Sequence, residues 1–332
     1  MTIARRMKQA LEVPEGARDA NWVREHLQTA VALELSTLPP YLTAWWSIRS
    51  SGSAKRLLKQ VVLQEMLHMG LICNCLNALG DRPRIAFRDV VQRYPAHLPG
   101  GVQVDLVVPL QRFSLDAVAR MFMKIEEPSW NPFITFGGEQ WPTIGAFYSA
   151  IVAAVQTLDP TEFTPHRRQI EEPGLSLTTI NVKADCLAAL DTIMVQGEGT
   201  TGSPAFGGGP DDIAHYYKFA EILHGRKFVK GDDGCWHFSG DAIPHLDPRV
   251  DVFLMDEVPA YGYPDSLQFD FLFTQMLQSL QNAWDTGISS IVVQQAEALM
   301  LQMTVEARRL MQLPKPDGSG LNFGPDFQFL GA

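Results

Sequence analysis

The chain has 332 residues, 46% hydrophobic and 19% charged, which supplies apolar material for a large buried core and excludes a chain disordered throughout. Its net charge of -10 argues against nucleic acid and anionic membrane as partners. The basic N-terminus MTIARRMKQALEVPEG lacks the apolar core of a signal peptide, and no run approaches the roughly 18 apolar residues of a membrane span, so a soluble, cytoplasmic protein is expected.

In chain order, residues 19–38 read as a helix, with apolar positions at Leu27, Ala30, Val31 and Leu35. Pro39-Pro40 is expected to kink or break it. A strongly apolar second helix covers 54–79 and ends at Gly80, a good C-terminal stop. Residues 81–112 are punctuated by Pro and Gly, with a short strand expected over 102–108. Ser114 caps a helix over 114–126. A Pro-, Gly- and Trp-rich loop precedes a helix over 143–157, and another covers 184–197. The Gly207–Gly209 run lacks the Gly-Lys-Ser/Thr ending of a phosphate loop. Asp211-Asp212 cap a helix over 212–225, and 228–238 reads as a hairpin around Asp-Asp-Gly. Two long helices, 265–285 and 288–312, join at Gly287. The expected fold is mainly α: a four-helix bundle with long connections, minor β and additional C-terminal helices. The expected division is 19–228 for the bundle and 229–332 for hairpin, connector and two helices packed on it, within one globular unit.

Two words recur: Glu65-Met-Leu-His68 and Glu221-Ile-Leu-His224. Glu-x-x-His on a helix puts a carboxylate and an imidazole on one face. With a lone glutamate ahead of each copy, Glu34 and Glu198, the order matches a dinuclear carboxylate site built between two helix pairs. Glu34, Glu65 and His68 sit in apolar helices, where acidic groups are seldom buried without a partner or a metal. Glu198 lies between two glycines, and Glu126 and Glu127 are its rivals as the third carboxylate. Tyr41 and Tyr217 are candidates to support the ligands from behind, and the other histidines show no ligand spacing. Trp130, Phe133, Phe136, Trp141, Phe147 and Tyr148 either line a substrate pocket or pack as core. The four cysteines form no CxxC and no CxxCH, and read as thiols in a reducing compartment.

The segments Leu33-Glu-Leu-Ser-Thr-Leu-Pro-Pro-Tyr41, Gln64-Glu-Met-Leu-His-Met69, Gln196-Gly-Glu-Gly199 and Tyr217-Lys-Phe-Ala-Glu-Ile-Leu-His224 resemble the ferritin-like domain of the iminophenyl-pyruvate dimer synthase family. The likeness runs from about residue 20 to 228. It implies a ferritin-like bundle with Glu34, Glu65, His68, Glu198, Glu221 and His224 as metal ligands, and it prefers Glu198 over Glu126. It differs from those synthases in length, and about 130 residues separate the halves of the site. The function expected is O2- or peroxide-dependent oxidation of a small amino-acid-derived substrate by two iron ions, with manganese as the alternative metal. The other functions weighed are a ferroxidase, a metal-free ferritin-like binding protein and a haem-dependent synthase. Neither nucleic acid nor membrane is an expected partner; a homo-oligomer is compatible with this reading.

Overall fold

The computed structural model describes residues 15–103, 105–128, 143–165, 168–200, 203–207, 209, 212–259, 262–287 and 289–331. Among these, helices dominate. Helix α1 (Ala20–Ser47) is capped by Asp19, whose carboxylate accepts from Trp22 N. Helix α2 (Ser53–Ala78) ends as expected at Gly80, which takes a φ of +79°. Two-stranded ribbons follow the same economy of β: β1 (Ala96–His97) pairs with β2 (Val107–Val108), so only the end of the expected strand 102–108 forms.

Helix α3, residues 115–125, is capped by Ser114 and contains a π-helical turn, Val118–Phe122, just before Glu126. Helices α4 (Ile144–Thr157) and α5 (Lys183–Gly197) match their expected spans to within a residue. Helix α6 (His215–His224) starts later than the spacing predicts, because Ala205 and Ile213 form a β-bridge that keeps the approach extended. The hairpin β3 (Val229–Lys230) and β4 (Trp236–His237) follows, then α7 (Leu267–Thr286) and α8 (Ser289–Leu310).

Helices α1 and α2 pack along their lengths, α4 packs on α5, α1 touches α4, and α2 touches α5. These contacts close a four-helix bundle. Helix α6 lies against α2 and the π-turn of α3. The α7–α8 pair covers the outer side of α1, so α1 is buried almost all round. An apolar cavity of about 390 Å³ stays open there, lined by Leu38, Trp45, Met66, Met276 and Met300 among others. No helix among the described residues is long and apolar enough to cross a membrane.

The expected break at Pro39-Pro40 does not occur: α1 runs through both prolines. A proline leaves the carbonyl four residues earlier without its helical donor. For Pro40 that carbonyl is Ser36 O, and the Tyr94 hydroxyl donates to it at 2.6 Å inside the core. A long-range side chain thus satisfies a bond that the local sequence removes.

Candidate metal centre

Four elements of the bundle and two of its connections converge on one buried cluster. Helix α1 brings Glu34 and α2 brings Glu65 and His68, three residues apart on one face. His68 Nδ1 lies 3.6 Å from Glu34 Oε2 and 3.9 Å from Glu65 Oε1. Glu126, where α3 ends, and His215, the first residue of α6, complete a second group around Glu65. His215 Nδ1 is 2.8 Å from Glu65 Oε1 and 3.5 Å from Glu126 Oε2. Glu65 therefore belongs to both groups, and the two imidazoles stack with centroids 5.4 Å apart.

Each carboxylate is held by a donor that leaves its other oxygen for the centre. Thr37 donates to Glu65 Oε2 at 2.7 Å, Tyr41 to Glu126 Oε1 at 2.5 Å, and Tyr148 to Glu34 Oε1. Glu198 lines the same cavity, and its Oε1 accepts from Gly145 N at 2.5 Å. A Cβ on Gly145 would stand 2.1 Å from Glu198 Oε2, so a side chain there would displace that carboxylate from its present position.

The imidazoles are oriented alike. His68 Nε2 contacts Gln196 Oε1 at 3.0 Å, and His215 Nε2 contacts Gln64 Oε1 at 3.2 Å. Lys218 Nζ donates to the same Gln64 oxygen at 2.6 Å; an ammonium only donates, so that atom is an acceptor. His215 Nε2 then carries the proton, and its Nδ1 presents a lone pair. That lone pair faces the Glu65 oxygen at 2.8 Å in complete burial, yet without the directions of a hydrogen bond. Two acceptors so placed repel unless a proton or a metal ion lies between them, and the buried carboxylates and imidazoles gathered here are the donor set a divalent ion takes. The residues present therefore fit a metal.

The electrostatics agree. Burial, reinforced by Glu126 and Glu34, holds the Glu65 carboxyl well above its ordinary range. Burial acts on Glu34 too, but the hydrogen bond and charge of His68, with Tyr148, outweigh it and hold that carboxyl below its usual value. Burial lowers the proton affinity of His215, which favours the neutral imidazole a metal needs. Four buried carboxylates around one cavity of about 20 Å³ form an anionic pocket suited to divalent ions.

Of the residues singled out from the sequence, the structure brings Glu34, Glu65, His68 and Glu198 to this cavity, with Tyr41 behind Glu126. It does not bring Glu221, His224 or Tyr217 there. Glu221 accepts from Lys227 Nζ at 2.9 Å and from Phe228 N at 2.8 Å. His224 stacks on Phe238 at 3.9 Å, and Tyr217 on Phe228 at 5.3 Å. The physical reason is where α6 begins. At 1.5 Å per residue, Glu221 lies about 9 Å and His224 about 13.5 Å along the axis from His215. The second Glu-x-x-His thus packs toward the hairpin, and Glu126 and His215 are the residues that complete the cluster around Glu65.

Glu127 turns to Lys124 instead. No spacing signals His215, because it is set by the arrival of a loop; Glu126 was legible only as a rival. Of the aromatic loop, Phe147 packs in the core near His26 and Tyr148 reaches Glu34. Trp130, Phe133, Phe136 and Trp141 lie outside the described residues.

The ferritin-like family model matches residues 27–224. Among solved structures, a crystal structure of a ferritin-like protein from Caulobacter vibrioides superposes with a TM-score of 0.66 at 21% identity, covering 92% of this chain and 97% of that one. No curated protein matches the chain.

Proposed function

This chain belongs to the ferritin-like family, and we propose that it is a dinuclear metal protein acting as an O2- or peroxide-dependent oxidoreductase. The observation that carries this is the sharing of Glu65 between two buried donor groups, Glu34/His68 and Glu126/His215, with His215 Nδ1 2.8 Å from Glu65 Oε1. In this reading Glu34, Glu65, His68, Glu126 and His215 would hold the two ions, with Glu198 lining the same cavity. Two iron ions, with manganese as the alternative, would supply the electrons that reduce O2 or peroxide.

The chain's own residues do the rest. Thr37, Tyr41 and Tyr148 fix the carboxylates, and Gln64 and Gln196 fix which imidazole nitrogen is free. Leu33, Ile125, Ile144 and Ile193 give the cavity an apolar wall. The organic substrate class is the small amino-acid-derived imine or enamine that the family resemblance implies.

A second reading, a ferroxidase whose substrate is Fe(II) itself, draws support from the cavity. About 20 Å³ is the space of one water-sized probe, enough for a small oxidant beside the ions.

The experiment is metal analysis of protein from iron-supplemented cells, with a Glu65→Ala/His68→Ala control, followed by O2 uptake on adding excess Fe(II). Two irons per chain, lost in the control, are expected. O2 uptake that stops once two irons are oxidised, and resumes with an amino-acid-derived imine, supports the oxidoreductase. Uptake that continues in proportion to added Fe(II) favours the ferroxidase. No metal even after anaerobic Fe(II) addition sinks both and leaves a metal-free binding role.

A further inference from the structure

The hairpin that follows α6 has two chemically different faces. Along β4, alternate side chains point to opposite sides. Trp236 and Phe238 turn inward onto Phe228, with ring centroids at 5.5 and 4.4 Å, and Phe238 also stacks on His224. Asp233, Cys235 and His237 are exposed, and their donor atoms gather at one spot on the hairpin. Gly234, with a φ of +78°, closes the turn, and Gly231 N donates to Cys235 O at 2.8 Å. The aromatic cluster thus anchors the hairpin and directs one carboxylate, one thiol and one imidazole to the same outer spot.

These donors lie within 4.8 Å of one another. His237 Nε2 stands 2.9 Å from Asp233 Oδ2, and Asp233 Oδ1 accepts from Cys235 N at 2.9 Å. Tetrahedral zinc, with bonds of about 2.0–2.3 Å, sets neighbouring donors roughly 3.3–3.8 Å apart. Small rotations of exposed side chains cover that difference. From this constellation we propose that Asp233, Cys235 and His237 form a surface site for a thiophilic divalent d-block ion, Zn2+ being the type case, separate from the bundle centre. Three protein donors leave a fourth position to water, and binding releases the thiol proton to solvent.

The site differs from the bundle centre in donor chemistry: a thiolate here, oxygen and nitrogen alone there. Cys235 is also the exposed cysteine, while Cys73, Cys75 and Cys186 are buried. Two readouts follow. Co2+ added to the reduced full-length protein should give a thiolate-to-cobalt charge-transfer absorption, absent in Cys235→Ser and weakened at least about tenfold in apparent affinity in His237→Ala and Asp233→Asn. Zn2+ should shield Cys235 from a thiol reagent in the folded protein, with the shielding lost on adding a chelator. Because the three side chains are exposed, these variants should keep the wild-type circular dichroism. An undiminished charge-transfer band in Cys235→Ser, or full thiol reactivity in saturating Zn2+ with no thiolate band, would overturn the proposal. Glu65→Ala, which empties the bundle centre, should leave both readouts unchanged.

Discussion

At Glu65, burial and two neighbouring carboxylates oppose ionisation, while Thr37 holds one oxygen and His68 and His215 flank the other. A group so placed is costly alone and favourable beside cations. Glu65→Ala should therefore abolish metal binding, whereas Glu221→Ala should keep the full metal content and instead loosen the hairpin, since Glu221 holds Lys227 and the Phe228 amide. Metal per chain by elemental analysis checks both, and metal loss on Glu221→Ala would refute the placement. Tyr41→Phe and Gln64→Ala act one bond further out. Each should weaken metal affinity by about 10–100-fold with stoichiometry retained, as read by chelator competition. Gly145→Ala pushes against the buried Glu198 carboxylate and should lower affinity in the same assay.

At the scale of elements, α1 shows how a helix carries two consecutive prolines. The Ser36 carbonyl, deprived of its helical donor, receives the Tyr94 hydroxyl. Tyr94→Phe would leave that carbonyl unsatisfied in the core, and should cost about 1–3 kcal/mol, seen as a lower denaturant midpoint with helix content preserved. An unchanged midpoint would mean that another donor takes over. Helix α6 shows the converse lesson. Its Glu-x-x-His has the periodicity of a ligand pair, yet the loop before it delivers His215 rather than Glu221 to the centre. Helical spacing tells which residues share a face, but the depth at which a helix enters the bundle is set by contacts outside it.

Across the whole molecule, the C-terminal segment ties the outer helix pair to the bundle. Phe327 stacks on Trp46 of α1 and packs edge-on against Phe269 and Phe273 of α7. Beside it, Asp326 accepts from Tyr263 N at 3.0 Å and Asp270 accepts from Gln328 N at 2.9 Å. Burial, with the hydrogen bond and charge of Asp326, pushes the Asp270 carboxyl up to about 9 from an ordinary 3.8. Between those values the folded chain keeps a proton that the unfolded chain has released. The contribution of Asp270 to stability should therefore fall as pH rises from about 4 to about 9, and level off above. Asp270→Asn, neutral throughout, should flatten this slope; denaturant midpoints at about pH 6 and pH 9 test it. An equal slope in the variant would assign the effect elsewhere.

Apolar periodicity, capping residues and glycine stops determined the helices, because each depends on neighbours within a few residues: Ser114, Gly80 and Gly287 act where the sequence places them. The half of the centre on α1 and α2 was legible for the same reason, since Glu34, Glu65 and His68 stand in regular helices long enough to cross the bundle. The other half was decided by tertiary structure. Glu126 follows a π-turn and His215 follows an extended approach pinned by Ala205 and Ile213, while Glu198, already named by the family resemblance, is positioned beside Gly145. These three donors sit at helix ends, where position depends on how the chain enters and leaves the bundle and not on the period of the helix. The bond lost at Pro40 is likewise replaced by Tyr94, more than fifty residues away, because a long-range donor can replace what a local rule removes.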